Sequence, residues 1–85
     1  MPRFYLHVRN AVASAPDEEG EDFADLAAAR EKATDGARSI LSEEVKGGLL
    51  DLRGAIDIAD TAGKIVLTIP YADTVRVLTK DGSVE

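Results

Sequence analysis

From Arg3 to Arg9 the chain alternates in character. Phe4, Leu6 and Val8 fall on one side; Tyr5, His7 and Arg9 fall on the other. Period two among aromatic and β-branched residues predicts a strand with one buried face. Asn10 suits a turn, and Val12 to Ser14 can form a short returning strand. Residues 15–25 contain Pro16 and Gly20 and read as a loop, with Phe23 as its one large apolar anchor. Asp22 or Asp25 can cap the helix that follows by accepting from its orphan N–H groups.

At 100° per residue, Leu26, Ala29, Ala33, Gly36, Ala37, Ile40 and Leu41 form one stripe. The middle of that stripe is small, which predicts close approach to a sheet, with Leu26, Ile40 and Leu41 filling the edges. Gly36 costs roughly 1 kcal/mol against Ala in a helix, and tight packing is the expected offset. Gly47 and Gly48 end the helix, one of them left-handed. Leu49, Leu50 and Leu52 lead through Arg53-Gly54 into a hairpin. Its strands carry Ile56 and Ile58, then Ile65, Leu67 and Ile69, around an Asp60-Thr61-Ala62-Gly63 turn. Pro70 closes the second strand. Tyr71 to Leu78 fits either a short helix, through Ala72, Val75 and Leu78, or a strand, through Val75 to Val77. Asp81-Gly82 is a turn or a frayed tail.

These elements predict an α+β two-layer sandwich. One long helix packs on a three- or four-stranded antiparallel sheet, in the order strand, short strand, helix, strand, strand, with room for a short C-terminal helix. Residues 1–78 form the single domain and 79–85 a tail.

Composition narrows the function classes. The 85 residues are 45% apolar and 31% charged, which is globular rather than disordered. A chain of this size buries only about 60% of its unfolded surface, so a partner subunit is a natural supplement. Cysteine is absent, which excludes disulfides and thiolate metal sites. No apolar run approaches the roughly 20 residues that span a membrane, and Phe4–Val8 is too short for a signal peptide. The expectation is a cytoplasmic protein that contacts neither membrane nor nucleic acid, since nucleic acid rewards clustered bases. The net charge is −6. Asp17, Glu18, Glu19, Glu21, Asp22 and Asp25 alone match that total, with no base among residues 17–25.

The opening Met1-Pro2-Arg3-Phe4-Tyr5-Leu6-His7-Val8, the acidic Asp17-Glu18-Glu19-Gly20, and Asp25-Leu26-Ala27-Ala28-Ala29-Arg30 carry a resemblance. They resemble a family of small uncharacterised bacterial proteins, most familiar from alphaproteobacteria and catalogued as a domain of unknown function. Asp60, Gly63 and the run into Ile69-Pro70 fit as well, so the resemblance covers roughly residues 1–76. It implies no activity and no catalytic residues. A second resemblance is to HicB-type antitoxin domains, which also run strand, acidic glycine-containing turn, and helix rich in Ala and Glu. That one implies a regulator that neutralises a basic toxin.

Catalytic chemistry finds few footholds. His7 is the one imidazole beside Ser14, Ser39, Ser42 and Ser83, and no Gly-x-Ser-x-Gly elbow exists. The acidic stretch fails the EF-hand pattern, because Gly20 as sixth residue puts Ala15 first. Gly47-Gly48 follows a helix and lacks a Gly-Lys-Ser/Thr ending. No catalytic residue, metal or cofactor is expected. The favoured reading is a homodimeric, non-enzymatic interaction module. Tyr5, His7 and Arg9 would form the self-association face. Asp17, Glu18, Glu19, Glu21 and Asp22 would be open to a basic protein partner. The alternatives are the antitoxin-like regulator and a small-molecule or divalent-metal binder.

Overall fold

A computed structural model of the chain describes residues 2–10, 14–80 and 82. Met1, Val12, Asp81 and Ser83, named above, lie outside them. The architecture is α+β. Strand β1 (Arg3–Arg9) is followed by β2 (Ser14–Ala15), β3 (Glu21–Asp22), helix α1 (Leu26–Lys46), β4 (Ala55–Ala59) and β5 (Ile65–Pro70). A single 3-10 turn, Tyr71–Asp73, follows β5. The antiparallel sheet runs β2-β1-β4-β5, with β3 also pairing with β1.

This sheet has five strands where three or four were expected, and the reason lies in residues 15–25. They do not form a plain loop. Ser14 and Ala15 pair with Arg9 and Val8, while Glu21 and Asp22 pair with Phe4 and Arg3. One returning strand is thus broken in the middle, and residues 16–20 bow out opposite Tyr5, Leu6 and His7.

Helix α1 lies across the inner face of the sheet. Asp25 is its cap, accepting from the Ala28 N–H at 2.9 Å. Ala29, Ala33, Ala37 and Leu41 are buried against Ile56, Ile58 and Ile69. Phe23 enters the same core, 6.3 Å from the Phe4 ring. Because Phe23 fills that end, Leu26 stays at the surface and does not fill the sheet edge as expected. Gly36 is not tightly packed either. A methyl group there would meet only Ile56 Cδ1, at an ordinary 3.9 Å.

The helix ends in a Schellman motif: Leu49 N–H donates to Glu44 O and Gly48 N–H to Val45 O. Gly48 takes the left-handed φ of +86°. In the hairpin, Gly63 has φ +82° and Asp60 Oδ1 accepts from the Ala62 and Lys64 N–H groups. A bulge opens where Ala59 pairs with Ile65 while Ile58 pairs with Leu67. Val66 is the extra residue, so Ile65 leaves the face shared by Leu67 and Ile69 and is 53% exposed.

Beyond Pro70 the chain is neither the expected helix nor a full strand. The 3-10 turn delivers Tyr71 into the core, 1% exposed. Gly54 makes this fit possible, because a Cβ there would sit 2.5 Å from Tyr71 Cε2 and 2.7 Å from Arg9 O.

Candidate functional site

The outer face of the sheet holds the residues that the sequence singled out. In register, Tyr5 faces Ala59, His7 faces Asp57, and Arg9 faces Ala55. Side chains pair diagonally across this face. Arg9 Nε and its terminal nitrogen donate to Asp57 at 3.0 and 3.2 Å. Thr68 Oγ1 donates to the same carboxylate from β5 at 2.8 Å. The Arg9 hydrogen bonds hold the Asp57 carboxyl below its ordinary value; burial opposes them, and the Thr68 hydroxyl assists.

One acid of the stretch, Asp17, folds onto this face instead of standing away from it. The Asp17 N–H donates to His7 Nδ1 at 2.9 Å. Asp17 Oδ2 accepts from the Leu6 N–H, and Oδ1 accepts from Glu19 and Gly20. The carboxylate therefore fills the gap in the ladder between β2 and β3. Burial raises its pKa, but the three backbone N–H groups and the nearby His7 outweigh that, leaving the group below the usual carboxylate value. Tyr5 stacks on His7 with 6.4 Å between ring centroids, and Gly20 rests against the Tyr5 ring.

The remaining acids divide into two sets. Asp22 pairs with Arg3 at 3.2 Å, and Glu21 pairs with Lys32 at 3.1 Å. Asp25 caps α1. Glu18 and Glu19 are exposed, and no ion pair to either occurs among the described residues. Glu21, in register with Phe4, thus lies on the helix side with Lys32, while Asp17 joins the Tyr5/His7/Arg9 face into one composite surface. A hollow of about 200 Å³ borders it, between Tyr5, His7 and the Asp60–Gly63 turn.

A second surface was missed by sequence reasoning. Val45, Leu49, Leu50 and Leu78 are 56%, 60%, 45% and 59% exposed. An open groove of about 580 Å³ runs between the C-terminal half of α1 and residues 75–78, floored by Leu41, Val45, Leu50, Val75 and Val77. Arg38, Lys46 and Arg76 also line it, and among the described residues no acidic one does. Val45 and Leu50 continue into an adjoining hollow with Gly48 and Leu49. The available signal was a run of leucines just past a double-glycine stop, outside any helical or strand period.

Among the described residues no group of three or more His, Asp or Glu could hold a metal ion. No helix among them is long and apolar enough to cross a membrane.

Fold and surface together define a small α+β domain with a hydrogen-bonded polar sheet face and an apolar groove at the far end of its helix. The chain belongs to a family described as a domain of unknown function, DUF6894, whose model matches residues 3–72. No curated protein and no solved structure matches the chain.

Proposed function

We propose that this protein is a small non-enzymatic interaction module that binds another protein through the apolar groove end. The exposure of Val45, Leu50 and Leu78 around one groove, with Leu49 in the hollow that adjoins it, carries this reading. A chain with a 9.0 kDa mass has little apolar surface to spare. Four large apolar side chains left outside a modest core mark a surface that a partner covers. The composite face of Tyr5, His7, Arg9 and Asp17 supports this reading from the other side. The Arg9 guanidinium, the Asp17 carboxylate and His7 Nδ1 already have partners there, so docking onto those groups would require breaking them.

The test is site-specific photocrosslinking in the source cell. A photoreactive residue at Leu49 is expected to give discrete adducts, and one at exposed Thr61 on the opposite hairpin is expected to give none. Equal yields from the two positions, or none from Leu49, would overturn the assignment.

A further inference from the structure

The groove has a charge pattern that narrows its occupant. Arg38, Lys46 and Arg76 border the apolar floor with no carboxylate lining it among the described residues, on a chain whose net charge is −6. Arg38 Nε donates to the Thr74 carbonyl at 2.8 Å, which fixes the side chain without neutralising it. Among the described residues Lys46 pairs only with the exposed Glu43, one helical turn away. A pair of that kind is worth little and exchanges readily.

We infer that the groove takes an amphipathic helical segment of another protein, with apolar anchors at helical spacing and Asp or Glu at its flanks. This rests on the interaction reading above and adds the partner's chemistry. An open trough suits a helix laid lengthwise, whose i, i+4 and i+7 side chains enter the floor. Its side walls leave Val45, Leu50 and Leu78 about half exposed, too open to enclose a small molecule, which a pocket buries by 70–90%. A second copy fits poorly. Two-fold pairing of identical patches would bring one set of three cations against another. An acidic-flanked helix meets the same rim with opposite charge.

The experiment selects from a display library of random peptides of about 16 residues, roughly four helical turns, against the intact chain. The selected peptides are expected to carry apolar residues at helical spacing between acidic flanks. On titration, the amides of residues 41–50 and 75–78 should shift. The double variant Lys46→Gln/Arg76→Gln, altered only at exposed positions, should melt within a few degrees of the parent and bind at least about five-fold more weakly. No enrichment, enrichment of basic flanks, or undiminished binding by the double variant would each overturn the inference. So would sedimentation showing a dimer that Leu78→Glu dissolves. If Leu49 crosslinks specifically while selected peptides lack acidic flanks, the interaction surface stands and the partner chemistry falls.

Discussion

Asp17 and His7 lock each other in place. The Asp17 N–H donates to His7 Nδ1 at 2.9 Å, while the Asp17 carboxylate holds the Leu6 N–H one residue before His7 in β1. A backbone donor requires a lone pair at Nδ1, so the imidazole proton of the neutral ring resides on Nε2. Long-range proton–nitrogen correlation at mildly alkaline pH should show that tautomer. A spectrum with Nδ1 protonated would contradict the latch.

The latch separates Asp17 from its acidic neighbours. Asp17→Ala removes the acceptor for three backbone N–H groups and should cost about 1–3 kcal/mol, with faster amide exchange at Leu6 and Gly20. Glu18→Gln and Glu19→Gln should stay within about 0.5 kcal/mol of the parent. Chemical denaturation measures all three. Equal effects across the set would return Asp17 to the status of one more surface acid.

The row Arg9–Asp57–Thr68 predicts a pH dependence. The Asp57 pKa is lowered in the folded state, so its contribution is present above the unfolded carboxylate value and is lost as pH falls through the folded one. Asp17 acts in the same direction. Melting temperature should therefore drop on acidification below about pH 4. Asp57→Asn should lower stability at neutral pH and flatten that acid limb. An acid limb as steep in Asp57→Asn as in the parent would show that other carboxylates carry it.

The regular elements were legible because each has a period. Residues Arg3–Arg9 alternate, Ala29 to Leu41 recur every three or four positions, and Asp60 with Gly63 spells a hairpin turn. What escaped is non-periodic. Asp17 reads as one acid among six, and only its position opposite Leu6 makes it a ladder substitute. Tyr71 follows Pro70 in an ambiguous segment, and only Gly54, 17 positions earlier, shows where its ring goes. The hairpin's Ile65 shows the limit of strict alternation, since one bulge moved it off the buried face. The groove joins Val45 and Arg76 across 31 positions, which no local window spans.

Tyr71 offers a test at the alkaline end. Its hydroxyl is buried with no hydrogen-bond partner among the described residues. Burial, with Glu44 nearby, raises its pKa above the usual 10.0. The neutral phenol is favoured in the folded state, so stability is intact below pH 10 and is lost as pH rises through the folded value. Tyr71→Phe should be neutral to about 1 kcal/mol stabilising at pH 7, because it deletes an unsatisfied buried group. It should also delay alkaline unfolding. A loss of stability at pH 7 would reveal that the hydroxyl has a partner.

Two glycines should respond to alanine in opposite ways. Gly36 lies within α1 at a negative φ, and a methyl group there meets nothing closer than 3.9 Å. Gly36→Ala should therefore recover the helix propensity of alanine and stabilise by roughly 0.5–1 kcal/mol. Gly54 also has no positive φ, so backbone strain is not its reason for being glycine. Its Cβ position lies 2.7 Å from the Arg9 carbonyl and 2.5 Å from Tyr71 Cε2, and both neighbours are held, one in the ladder and one in the core. Gly54→Ala must push β1 or the Tyr71 ring aside, which places it among overpacking substitutions at about 1–3 kcal/mol. Thermal melts of the two variants should move to opposite sides of the parent. If Gly36→Ala destabilises instead, the helix sits closer to Ile56 than 3.9 Å, and the small-residue stripe is under real packing constraint.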